Sequence, residues 1–170
     1  MVRVRSATAA DSKAVAAIYA PYVSDTAISF ELEPPNAREM AARISETLRS
    51  HPWLVAEQNG TILGYAYAAR FRARPAYDPT AEVSVYVASN ALGRGIGRAL
   101  LRALTAELRT RGFTAIVAGT ALPNEAMVSL LEGLGFGPVG VFQRVGFKLG
   151  EWHDVGWWQL RGRGDPASPP

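Results

Sequence analysis

Residues 80–108, TAEVSVYVASNALGRGIGRALLRALTAEL, run from a strand pattern through a glycine-rich turn into an amphipathic helix. Few folds accommodate that succession. Glu82-Val83-Ser84-Val85-Tyr86-Val87 alternates with period two and is rich in β-branched and aromatic residues, as a half-buried strand requires. Gly93, Gly95 and Gly97 then alternate with Arg94 and Ile96 before the helix starts. Ile96, Leu100, Leu104 and Leu108 recur every fourth residue on one helical face, while Arg98, Arg102 and Arg109 fall elsewhere. Glycines at such a junction let backbone N–H groups turn inward, and the helix start adds partial positive charge. Together these make a cradle for an anion, with Arg94 and Arg98 as mobile positive side chains beside it. The same pattern also fits a tight strand-to-helix turn carrying solvated arginines.

Of the phosphate-binding turns, a Walker loop needs Gly-Lys followed by Ser or Thr, a sequence the chain lacks. A dinucleotide fingerprint needs a third glycine where Arg98 stands, and the next strand, Thr114 to Thr120, has no acidic residue for a ribose. Leu92-Gly93-Arg94-Gly95-Ile96-Gly97 instead resembles the Gln/Arg-x-x-Gly-x-Gly/Ala signature of the GNAT superfamily of acetyl-CoA-dependent N-acetyltransferases. Leu92 departs from that signature, standing where Gln or Arg is usual. The backbone donors are untouched by the change.

The chain has 170 residues, enough for one domain that buries roughly two thirds of its extended surface. There is no cysteine, which excludes disulfides, a thiol nucleophile and a Cys-based metal site. Only two histidines are present, without metal-ligand spacing, so no metal is expected. The net charge of +3 comes from sixteen Arg and two Lys against fifteen acids. These charges are dispersed, which suits solvated faces and one anionic ligand better than nucleic acid. No apolar run is long enough for a membrane span, and Met1-Val-Arg-Val-Arg lacks the apolar core of a signal peptide, so the expected location is cytoplasmic.

In chain order, Val2–Ser6 reads as a short strand, and Thr8, Asp11 and Ser12 offer caps for a helix bearing Val15, Ile18, Tyr19 and Tyr22. Pro21 is expected to kink or end that helix. Residues 26–31 form an extended loop that either delivers Phe30 to a pocket or buries it in the core. Pro34-Pro35-Asn36 opens a helix over 37–50, with Met40, Ile44 and Leu48 on one face. Residues 53–57 and 62–69 read as strands joined at Asn59-Gly60, a hairpin signal. The loop 70–80 carries Arg70, Arg72, Arg74, Phe71 and Tyr77; Arg72 and Arg74 suit a carboxylate or another oxyanion, or the loop is simply a soluble one. Phe113–Thr120 is a strand, Pro123-Asn124-Glu125 opens a helix through Leu134, and 136–147 and 151–160 are two further strands. Residues 162–170, rich in Gly, Pro and Ser, read as a disordered tail following a single domain, 1–161.

This order matches the GNAT fold: an α/β (α+β) architecture with a mixed, mostly antiparallel sheet of about seven strands flanked by about four helices. HPWLVAE, FRARPAYDPTAEVSVYV, LGRGIG, LPNEA and GFKLGEWHDVGWWQL narrow the resemblance to the phosphinothricin and methionine-sulfoximine acetyltransferase branch. The resemblance implies acetyl-CoA as co-substrate and Glu82 as the general base that frees the substrate amine. It implies that residues 92–98 hold the pyrophosphate and that Val85, Tyr86 and Val87 border the pantetheine arm. The Val87 N–H would polarise the acetyl carbonyl, and Asn124 would bond the arm. Phe30, Arg72, Arg74, Tyr77, Glu82 and Tyr86 are implied around the acceptor, and Lys148–Asp154 as a homodimer loop that helps complete the partner's site. Met127 and Leu131 depart from the family, which commonly has Ser and His there. An acetyltransferase for protein N-termini or other amines, and a silent acyl-CoA sensor, are the alternative readings.

Overall fold

The computed structural model describes residues 1–161; the stretch 162–170 lies outside the described residues. A seven-stranded sheet forms from β1 (Arg3–Ser6), β2 (Trp53–Gln58), β3 (Thr61–Arg70), β4 (Thr80–Val87), β5 (Ala115–Leu122), β6 (Gly137–Lys148) and β7 (Glu151–Arg161), in the order β1-β2-β3-β4-β5-β7-β6. Only β4 and β5 run parallel. The crossover between them is α3 (Ile96–Thr110), the amphipathic helix of the glycine-rich stretch. The other helices are α1 (Ser12–Ser24), α2 (Ala37–Thr47) and α4 (Glu125–Glu132). Among the described residues, no helix is long and apolar enough to cross a membrane.

Two cores flank the sheet. On one face Ile96, Leu100, Leu104 and Leu108 of α3 pack on Leu54, Ala66, Val83 and Ile116, and Leu131 of α4 joins them. On the other face Val15, Ile18, Tyr19, Met40 and Ile44 of α1 and α2 cover Trp53, Val55 and Tyr65. Alternation along β4 therefore divides its side chains: Ala81 and Val83 enter the α3 core, whereas Glu82, Ser84 and Tyr86 face the α1–α2 side.

Local chemistry accounts for most boundaries. Asn59 and Gly60 both have positive φ, 50° and 77°, which makes the β2–β3 turn a two-residue primed turn. Asn36 accepts from the Glu39 N–H at 3.0 Å while the Glu39 carboxylate accepts from the Asn36 N–H at 2.7 Å, a reciprocal cap that starts α2. The helix itself ends at Thr47, short of the expected residue 50, and continues as turns. Pro21 does not stop α1, which runs on to Ser24. It stands exposed near the helix end, and its carbonyl accepts the Asp25 N–H at 2.9 Å, so the last turn closes despite the missing donor. Three tryptophans close together in sequence take different places: Trp158 is buried in the α3 core, Trp157 is half-buried, and only Trp152 is exposed.

Candidate active site

The strands β4 and β5 pair only from Thr80↔Ala115 to Glu82↔Val117. Beyond Glu82 they part: β4 continues along β3 to Val87, while β5 continues along β7 to Leu122. The parting opens a cleft of about 280 Å³ bordered by Val85, Val87, Leu92, Gly97, Asn124 and Met127. A second cleft of about 410 Å³ lies on the α1–α2 side, lined by Phe30, Glu31, Glu82, Ser84, Tyr86 and Trp157. Ile28, Ser84, Tyr86, Gly119 and Thr120 line both, so the two clefts meet where the sheet splits.

Glu82 is half-buried, and that burial raises its carboxyl above the ordinary carboxylate range; the Arg72 guanidinium nearby pulls less strongly in the opposite direction. Tyr86 sits edge-on to Tyr19 and Tyr22, with ring centroids 4.9 and 5.2 Å away, and its phenol is held well above its usual value by burial. Tyr22 donates to the Val87 carbonyl at 2.6 Å and fixes the free end of β4. The Ala88 N–H is also spent, on the Leu63 carbonyl at 2.8 Å.

At the turn, Gly93 and Gly95 have φ of 72° and 75°, a backbone that a side chain would strain. Gly95 caps α3 with no side-chain partner, so the first-turn N–H groups are left for a ligand or water. This suits a phosphate-bearing molecule: the donors are main-chain, the dipole end is positive, and no Cβ stands in front. Arg94 and Arg98 flank the turn but already have partners, Arg94 donating to the Gln58 side chain at 2.7 Å and Arg98 to the Gly133 carbonyl at 3.3 Å. Leu92 is 59 % exposed at the cleft edge. Asn124 both caps α4, accepting from the Met127 N–H, and donates to the Thr120 hydroxyl, each at 3.1 Å. Leu131 is fully buried in the α3 core and is a packing residue, whereas Met127 lines the cleft.

The remaining candidates are not all brought together. Phe30 is 41 % exposed and does reach the wall of the cleft containing Glu82. Arg72 and Tyr77 line a neighbouring hollow of about 510 Å³ with Phe71 and Val117, and Trp157 forms the partition between it and that cleft. Arg72 lies 4.4 Å over the Phe71 ring. Arg74 is exposed and lies outside the lining of either cleft. Tyr22, Ile28, Thr120 and Trp157 belong to the site without having been singled out for it. Their only sequence signal is position, since Tyr22 reads as helix core and Thr120 as the end of a strand just before Asn124.

A parallel crossover over a split sheet, with a glycine-lined helix start beside one cleft and a half-buried carboxylate in the other, is the frame of an acyl-CoA-dependent acetyltransferase domain. The chain belongs to the GNAT acetyltransferase family, whose domain profile matches residues 4–157. It is 40 % identical to a phosphinothricin N-acetyltransferase of Streptomyces viridochromogenes over 93 % of this chain and 86 % of that one. It is 35 % identical to an L-methionine sulfoximine/L-methionine sulfone acetyltransferase of Salmonella typhimurium, with 93 % of each covered. A phosphinothricin acetyltransferase of Sinorhizobium meliloti, solved with acetyl-CoA, superimposes with a TM-score of 0.94 at 35 % identity, covering 99 % of this chain and 92 % of that one.

Proposed function

We propose that the chain, acting as one unit over residues 1–161, acetylates the α-amine of small amino-acid analogues such as methionine sulfone, methionine sulfoximine and phosphinothricin. One observation carries the reading: Glu82 lines the α1–α2 cleft at the last paired position before β4 and β5 part, next to the Ser84 and Tyr86 positions where the two clefts meet, with its basicity raised by burial. An α-amine with pKa near 8 is mostly protonated at pH 7 and has no lone pair for attack. Glu82 accepts that proton, directly or through water.

Residues 92–98 hold the diphosphate through main-chain N–H groups, and Val85 to Val87 and Asn124 border the pantetheine arm. Acetyl-CoA supplies an activated acetyl group, so the N–C bond forms by direct attack as the C–S bond breaks and the thiolate leaves. The Val87 N–H polarises the acetyl carbonyl. Arg72, at the partition beside Glu82, receives the acceptor carboxylate, with Arg74 and Tyr77 at its outer rim and Phe30 and Tyr86 as walls. The reaction belongs in the cytoplasm, where acetyl-CoA is available.

Two copies pair through the β6–β7 hairpin, Lys148–Asp154 together with the outer side of β6. Support comes from an edge strand exposing Val139, Val141, Phe142, Val145 and Phe147, with Leu149 and Trp152 beyond it, each more than half exposed.

Acetyl-CoA-dependent thiol release across phosphinothricin, methionine sulfoximine, methionine sulfone, ordinary amino acids, N-terminal peptides and polyamines tests the assignment. The three analogues are expected to give the highest kcat/KM. A preference for peptides or polyamines would overturn the acceptor class, and binding of acetyl-CoA without thiol release would overturn the enzyme reading.

A further inference from the structure

Lys148 is 5 % exposed and has no role in the chemistry above. Its ammonium donates to the Val23 carbonyl and to the Ser29 carbonyl, both at 2.6 Å. Val23 lies in the last turn of α1, where carbonyls lack helical partners and a cation is favoured. Ser29 immediately precedes Phe30, the wall of the cleft that holds Glu82.

The rest of this loop is tied down as well. The Ser29 hydroxyl lies 2.7 Å from the Tyr19 hydroxyl and accepts from the Glu31 N–H at 3.1 Å. Glu31 is gripped by both terminal guanidinium nitrogens of Arg43, at 2.6 and 3.0 Å, and accepts from the Tyr19 hydroxyl at 3.0 Å. That grip holds the Glu31 carboxyl below its ordinary range. On β6, two residues before Lys148, a Cβ at Gly146 would collide with the Phe30 ring, so the ring rests directly on the strand. The Lys148 carbonyl in turn lies 2.9 Å from His153 Nε2 on β7. Burial lowers the Lys148 pKa, but two carbonyl acceptors and the nearby Glu31 charge favour the ammonium that the geometry uses.

We infer that Lys148 is a positioning residue for the amine acceptor: it pins the end of α1 and the Ser29–Phe30 loop to the β6–β7 hairpin and so sets the Phe30 wall of the acceptor cleft. The inference rests on the acetyltransferase reading for its kinetic consequence and is independent of it for its structural one. β6 thus has two sides with different duties, since Gly146 and Lys148 face the loop while Val145 and Phe147 face outward.

The test is Lys148→Met, which keeps the length and removes the donors. Amide exchange in residues 25–35 should speed by about tenfold or more while that in residues 92–98 stays unchanged. The KM for methionine sulfone should rise by about tenfold, with the KM for acetyl-CoA within about twofold of the parent. In a cycle with Phe30→Ala the effects on acceptor KM should be non-additive, because both substitutions remove the same wall; a lysine that only stabilises the fold would give additive effects. Unchanged exchange in 25–35, or additive KM effects, overturns the inference. If the parent protein releases no thiol with any acceptor, the acetyltransferase reading falls, and the exchange result still decides whether Lys148 holds the loop. Should Lys148→Met not fold, Lys148→Arg, which keeps the charge but alters the donor geometry, should give smaller changes in the same direction; none would overturn the inference.

Discussion

Glu82 stands between two opposing influences, burial that raises its pKa and the Arg72 charge that lowers it, and burial is the larger. As the proposed base it works only when deprotonated, so kcat/KM should fall as pH drops through a pKa above the usual carboxylate range. Removing the guanidinium with Arg72→Ala should move that acid limb to higher pH, besides weakening the acceptor. Glu82→Gln should lower turnover at pH 7 by about a hundredfold or more, read as thiol release. Its effect on stability should have the opposite sign. A carboxyl whose folded pKa exceeds its unfolded one favours the native state most below the unfolded pKa, and that advantage is lost as pH rises through the folded pKa. Glu82→Gln should therefore raise the melting temperature at neutral pH and lose that gain in acid, a pattern that thermal melts at several pH values would reveal.

At the scale of elements, α4 is short, eight residues, and isolated helices of that length do not persist in water. Its start depends on Asn124, whose side chain caps the Met127 N–H and joins the helix to Thr120 at the end of β5. Asn124→Ala is expected to cost about 1 kcal/mol in denaturant unfolding. Because this residue borders the split in the sheet, the same change should weaken acetyl-CoA binding measured by calorimetry, whereas Asn124→Ser should recover most of the stability and little of the binding. The longer α3 is expected to tolerate more. Six of its residues are buried, so packing rather than capping holds it in place.

For the whole molecule, the outermost strand is the feature that calls for a partner. β6 spans twelve residues at the sheet edge, and Val139, Val141, Phe142, Val145 and Phe147 stand exposed along it beside Gln143 and Arg144. If the proposed pairing holds, the parent sediments as a dimer and replacing Phe142 and Phe147 together by Glu should convert it to a monomer in sedimentation equilibrium. Because Lys148 and Gly146 share that strand, acceptor KM should also rise in the double variant while acetyl-CoA affinity stays near the parent value. A double variant that sediments like the parent would remove this face from the assembly.

Elements built from short-range chemistry were legible in the chain. The Asn59-Gly60 turn, the Asn36 cap, the four-residue repeat of α3 and the alternation that turns Glu82 and Tyr86 to one side of β4 each depend on residues within a few positions of one another. Pro21 does not end the helix where it stands, because its effect depends on where in the helix it falls and on an Asp25 N–H able to close the last turn. The arginine loop was legible as a rim, but its chemistry did not reveal that Arg72 and Tyr77 would line a hollow beside the Glu82 cleft, with the Arg72 charge acting on Glu82, while Arg74 lines neither. Nor did the close spacing of three tryptophans reveal that they would part among core, cleft and surface. The sequence by itself determined the strands, the helices and the backbone donors of the glycine turn, since a handful of neighbouring dihedrals and one periodicity decide them. Only the tertiary structure decided what meets in the clefts: β4 parting from β5, Trp157 dividing two hollows, and Lys148 reaching carbonyls 119 and 125 residues away, contacts that sheet order and packing create.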